Sequence, residues 1–241
     1  MSIRNWLLAS VVVIASTAAR AAEPQTVKEA SFAAPNDVTM KLRMEGPYTA
    51  DVPLQVVCYF KYTPEGVKRM KGAPVELDKE LGGVIGALRE RGEFVGDELE
   101  TLFIIPPAGS IKAKGLLLIG LGNESGLSID VMERVGKVAL REASRLGVGR
   151  VAFAPLIRDQ GNSTLDTGEI ERAVSRGVLL AYDTEKRLQK QGLAKPFTLE
   201  EWIAEAGAAY FDSTKTGLQE GIEEAKKTVA QRSTQPYGIS K

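Results

Sequence analysis

Gly120-Leu121-Gly122-Asn123 is where residue types and spacing in this sequence most suggest ligand chemistry. The segment follows an apolar run, Gly115 to Leu121, and precedes a helix signal at Ser128. Amides at a helix start can hold an anion, and open α/β sheets bind ligands at such strand ends. Gly120, Gly122 and Asn123 are therefore the candidate ligand-binding residues. The spacing departs from the dinucleotide fingerprint, because the third glycine, Gly126, falls one residue late. A tight turn is the plainer reading of two glycines after a strand.

Other chemistry is constrained by what the chain lacks. It contains no histidine, which excludes Ser-His-Asp and Cys-His catalysis and His-containing zinc sites. No Ser-x-x-Lys spacing occurs; Ser110 and Ser213 stand two residues before a lysine. Cys58 is the sole cysteine, and the run Leu54-Gln55-Val56-Val57-Cys58-Tyr59-Phe60 predicts a buried strand around it. Carboxylates gather at Glu98/Glu100, Glu200/Glu201/Glu205 and Glu220/Glu223/Glu224. Paired carboxylates can act as acid and base or hold a hard cation, but charge runs on helices are usually solvated faces. These groups are expected at the surface. No catalytic residue, metal ligand or cofactor is assigned.

The elements that position these residues read as one α/β domain. Acidic and basic residues balance at 31 each, so no strong field for nucleic acid or anionic membrane is expected. Trp6 to Ala19 is apolar apart from Ser and Thr, with Arg4 before it and Ala19-Arg20-Ala21 after it. That is the pattern of a signal peptide over 1–21, cut before Ala22. Residues 22–49 form a lead-in and first strand, with alternation over Val38 to Met44. Strands are predicted at Leu54 to Tyr62, Leu102 to Pro106, Gly115 to Leu121 and Val151 to Leu156. Gly66 to Pro74 reads as a basic, solvated loop. Helices are predicted at Leu77 to Arg91, after the Ser128 cap, over Gly168 to Gln191 behind Asp166, and over Thr216 to Arg232. Thr198 and Glu201 resemble a capping box for a further helix carrying Leu199, Trp202, Ile203 and Ala206. The strand, helix and strand from Gly115 to Leu156 predict a parallel pair.

In this order the pieces resemble the N-terminal domain of the leucyl aminopeptidase family. Leu77-Asp78-Lys79-Glu80-Leu81-Gly82-Gly83, Gly92-Glu93-Phe94-Val95-Gly96 and Leu116 to Gly122 carry the resemblance. So do Gly177-Val178-Leu179-Leu180-Ala181-Tyr182-Asp183 and the pairs Gly217-Leu218, Gly221-Ile222 and Ala225-Lys226. It spans residues from about 50 to 232 and implies a macro-domain-like fold: a single three-layer α/β domain, with a mixed, mostly parallel sheet between helices. The domain is placed at 50–212, with a C-terminal helix and tail at 213–241. In the family, two metal ions in the following domain activate a water, and the Asp/Glu signature that holds them is absent from this sequence.

The resemblance thus implies a scaffold without the peptidase chemistry. The expectation is an exported, secreted or periplasmic, non-catalytic module that binds an unknown protein partner or small ligand. No nucleic acid is expected as a partner, and no membrane after signal cleavage. The alternatives are a component of a metallo-aminopeptidase or hydrolase, and a macro-like binder of nucleotide or ADP-ribose.

Overall fold

The computed structural model describes residues 27–233, so the predicted leader and tail lie outside the described residues. The chain runs β1 (Glu29–Ala33), β2 (Thr39–Arg43), β3 (Leu54–Tyr59), α1 (Pro64–Arg69), α2 (Ala73–Glu80) and α3 (Val84–Glu90). It continues β4 (Thr101–Ile104), β5 (Leu116–Gly120), α4 (Ile129–Leu146), β6 (Arg150–Ala154), α5 (Thr167–Lys190), β7 (Glu201–Glu205) and α6 (Phe211–Gln231). The seven strands form one sheet in the order β1-β2-β7-β6-β3-β5-β4. The five inner strands are parallel, and β1 and β4 close the two edges antiparallel. This is the mixed, mostly parallel α/β sheet that the sequence predicts.

Alternation along each strand builds two cores. In β3, Val56 and Cys58 join the cluster under α4, α5 and α6, while Val57 and Tyr59 face α2 and α3. Both faces being covered explains why β3 and β5 read as unbroken apolar runs. Burial pushes the Cys58 thiol well above its ordinary range, so it packs as a small apolar residue.

Local signals set the helix ends. Ser128 Oγ accepts from the Val131 amide at 3.3 Å, and Gly147 ends α4 in the left-handed conformation. Asp166 Oδ1 accepts from the Gly168 and Glu169 amides at 2.8 and 3.3 Å, starting α5. α6 lies against α5, and a Cβ at Gly217 would sit 1.9 Å from the Gly168 carbonyl oxygen. The apolar positions Leu218, Ile222 and Ala225 are buried in this packing. At its end, Arg232 Nη1 donates to Asp183 Oδ2 at 2.7 Å and to the Leu180 carbonyl at 3.0 Å. Asp183 is buried and also holds Arg187 at 2.8 Å.

Several sequence expectations are corrected. The single helix over Leu77 to Arg91 is two, α2 and α3, split where Gly82 and Gly83 both take positive φ. The loop over Gly66 to Pro74 contains most of α1, capped by Thr63 Oγ1, which accepts from the Gly66 amide at 2.9 Å. The lead-in contains a strand, β1. The strands β5 and β6 are parallel but not neighbours, because β3 lies between them. The helix read from Thr198 and Glu201 is strand β7, with Glu201 bridging Lys41 at 2.9 Å and Arg150 at 3.2 Å on the strands either side.

Candidate functional site

The carboxyl ends of β2, β6 and β7 lie side by side, and the loops leaving them enclose a cavity of about 350 Å³. Its walls come from Met44–Pro47 after β2, Ala154–Asp159 after β6 and Glu205–Gly207 after β7. The first turn of α5 adds Thr167, Ile170 and Glu171, and Tyr210 and Thr214 close one side. This is the edge at which parallel sheets bind ligands, because strand ends and loops converge there without side chains filling the space.

Two carboxyl groups in this cavity are buried against the usual rule. Glu171 is 3% exposed, and its Oε1 has no hydrogen-bond partner. Burial pushes its pKa up to about 8. Glu205 is 8% exposed; its Oε2 accepts from Gln55 Nε2 at 2.8 Å, and its Oε1 has no partner. Burial pushes this group up to about 8 as well, opposed by the Gln55 bond and Arg43 and reinforced by the charge of Glu45. Glu45 lies 3.5 Å from Arg43 Nη1, too poorly aligned for a hydrogen bond to its Oε1. Asp159 Oδ2 accepts from the Ala73 amide at 3.2 Å, and burial raises its pKa too. The one basic side chain lining the cavity, Arg158, donates to the Asn162 carbonyl at 3.1 Å and to that of Leu165. Its guanidinium lies 5.8 Å from the Tyr210 ring centre.

A smaller cleft of about 80 Å³ opens between the loops after β3 and β5. Arg89 enters it from α3, 3% exposed, with Nη2 donating to the Phe60 carbonyl at 2.8 Å and the guanidinium 4.7 Å from the Tyr59 ring centre. Arg69 pairs with Glu124 at 2.6 Å. Lys61 pairs with Asp97 at 2.7 Å. Gln160 Oε1 accepts from the Phe60 amide and its Nε2 donates to the Cys58 carbonyl, both at 3.0 Å.

The turn singled out in the sequence borders this smaller cleft. The Gly120 amide donates to the Glu100 carbonyl at 2.8 Å, Leu121 to Tyr59 at 2.8 Å and Gly122 to Gly96 at 2.9 Å. A Cβ at Gly120 would meet the Asp97 carbonyl oxygen at 1.9 Å, so the glycine serves a close backbone approach. The Gly120 and Gly122 amides are thus engaged by protein carbonyls, and Asn123 lines the smaller cleft.

Among the carboxylates named above, Glu98 pairs with Arg134 at 2.6 Å, Glu223 with Lys226 at 2.7 Å and Glu224 with Arg172 at 3.0 Å, all at the surface. Glu205 departs from that expectation, since it ends a buried strand. Glu171 carries no special motif. Its sequence signal is its spacing: it stands three residues before Val174 and seven before Val178, within the buried stripe of α5. Among the described residues, no three or more Cys, Asp or Glu side chains are grouped so as to hold a metal ion.

The profile of the cytosol aminopeptidase family, N-terminal domain, matches residues 56–191. A probable cytosol aminopeptidase of Alkaliphilus oremlandii is 28% identical over 174 residues, covering 70% of this chain and 33% of that protein. One of Geotalea uraniireducens is 32% identical over 124 residues, covering 51% of this chain and 25% of that protein. The chain therefore spans about a quarter to a third of the length of these curated relatives. In fold it is similar to a mutant of tomato leucine aminopeptidase, with a TM-score of 0.57 and 17% identity over 82% of this chain and 38% of that one. It is also similar to an Oceanobacillus iheyensis macrodomain with MES bound, with a TM-score of 0.54 and 11% identity over 83% of this chain and 100% of that one. With over half of its length matched, the chain belongs to the cytosol aminopeptidase family, through that family's N-terminal domain.

Proposed function

We propose that this chain is an exported, non-catalytic module that binds a small ligand in the cavity at the carboxyl ends of β2, β6 and β7. The observation that carries the reading is a cavity of about 350 Å³ lined by two buried carboxyl groups whose Oε1 atoms no protein donor meets. Buried polar groups are nearly always satisfied, and the exceptions cluster where something else completes them. The leader-like sequence over 1–21 supports export to the periplasm or beyond.

A macrodomain-type nucleotide site is the second reading, because another structure of the Oceanobacillus iheyensis macrodomain carries ADP. The acidic lining argues against it: Glu45 and Asp159 would face a polyphosphate with like charge, and no free basic side chain lines the cavity to offset them. Two measurements test the proposal. The purified mature chain, given Mn²⁺ or Zn²⁺ and a leucine anilide, is expected to show no turnover above blank, and turnover would overturn the non-catalytic reading. Calorimetry with ADP-ribose is expected to show no heat at millimolar concentration; a saturable isotherm would favour the nucleotide reading instead.

A further inference from the structure

We propose that the cavity at the carboxyl ends of β2, β6 and β7 is a receptor for a small organic ammonium ion with an apolar tail, bound by Glu171 and Glu205. This rests on the binding-module reading above and specifies the chemistry of its ligand.

The charges around the cavity set the sign of the ligand. Four acidic side chains line it against one basic one. Arg158 is already engaged by the Asn162 and Leu165 carbonyls and lies over Tyr210. Arg43, behind Glu45, is held by Glu29 through its Nε at 2.5 Å. Asp159 has the Ala73 amide. Glu45 keeps the Arg43 guanidinium at 3.5 Å, which leaves Glu171 and Glu205, more than nine-tenths buried, each with an oxygen that no donor reaches. An ammonium group brings three donors and the opposite charge, which is what two such carboxylates lack.

The shape and the walls set the rest. Hard cations such as calcium need six or more oxygen ligands, and the described residues offer no acidic group of that kind. Pro47, Leu156, Ile170 and Ala206 supply apolar walls, and the volume suits a compact ligand at the lower end of small-molecule sites.

Protons are coupled to this binding. Near neutral pH both carboxyl groups hold a proton, because burial places their pKa values at about 8. An ammonium ion favours the ionised forms, so its binding releases protons and tightens from about pH 6 to about pH 9. Gln55 on β3 and Glu45 and Arg43 from the β2 side act on Glu205, and the other charged or titratable groups lining the cavity are Asp159 and Arg158 from the loop after β6 and Tyr210 ahead of α6.

Calorimetry of the mature chain with three probes that share a 3-methylbutyl tail tests the proposal: 3-methylbutylamine, the neutral 4-methylpentanamide and the anionic 4-methylpentanoate. The amine is expected to bind about ten-fold or more tightly than the amide, with the acid weakest. Proton release should appear as a heat that changes with the ionisation enthalpy of the buffer. Glu171→Gln and Glu205→Gln should each weaken the amine about ten-fold while leaving the amide unchanged. Circular dichroism checks that both variants fold, and Glu223→Gln, on the exposed side of α6, should leave all three affinities as they are. Equal binding of amine and amide, tighter binding of the acid, or binding of no probe overturns the inference. Amide or acid binding would leave the binding-module reading standing, whereas metal-dependent peptidase turnover would remove that reading whatever the probes do.

Discussion

Around the smaller cleft, Arg69 meets Glu124 at 2.6 Å, Lys61 meets Asp97 at 2.7 Å, and Arg89 rests on a carbonyl and an aromatic face. In the larger cavity, on the same edge of the same sheet, Glu171 has no partner for Oε1 and Glu205 has one hydrogen bond, from Gln55. Arg69 and Lys61 of the first region are paired within the protein, and Arg89 is partly so, with its Nη atoms engaged and its Nε without a partner. The acidic side chains of the second are desolvated without compensation, which raises the free energy of their charged forms and leaves them poised for an external cation. The two regions differ in how much of their charge the protein itself compensates.

Substitutions that remove one member from each region should separate the two cases. The largest effect is expected from Arg89→Met, which strips the Phe60 carbonyl of its donor and unstacks Tyr59. Chemical denaturation should show a loss of about 3 kcal/mol. A loss below a measurable level would mean that the smaller cleft is not held together by its guanidinium.

Glu171→Gln should act in the opposite direction, by an amount that grows as pH rises towards 8. The folded-state pKa of Glu171, about 8, lies above the ordinary 4.5, so its contribution to stability is full below about pH 4.5 and is lost as pH rises through 8. Glutamine does not titrate. The variant should therefore gain about 2.5 kcal/mol over the parent between about pH 6 and about pH 9, read from unfolding curves without ligand. A gap that does not change with pH would show that the Glu171 carboxyl is matched by a partner after all. The smallest effect is expected from Arg69→Ala. Its pair with Glu124 is solvent-exposed, so the melting temperature should stay where it is.

The family resemblance and the central sheet were legible because their signals are local. The run Leu116 to Gly120 is apolar throughout because both of its faces are covered, and Ser128 and Asp166 cap their helices through side chains two or three residues from the amides they meet. The candidate site was not legible for two physical reasons. Thr198 and Glu201 have capping-box spacing, yet Glu201 pairs across strands with Lys41 and Arg150, so long-range pairing overrides the local pattern. Glu171 looks like one more charge on an amphipathic helix, and its burial depends on α6 crossing over α5 at Gly168 and Gly217, contacts 49 residues apart in sequence that no window on α5 contains. The Gly120–Asn123 turn drew notice for the opposite reason. Gly120 marks backbone crowding against Gly96 and Asp97, and Gly122 a positive φ beside Glu98.

The clasp of Arg232 on Asp183 and the Leu180 carbonyl fixes the exit of α6 to the far end of α5. Unwinding of α6 from this end must therefore break an ion pair on a buried carboxylate before it can loosen the helix from its neighbour.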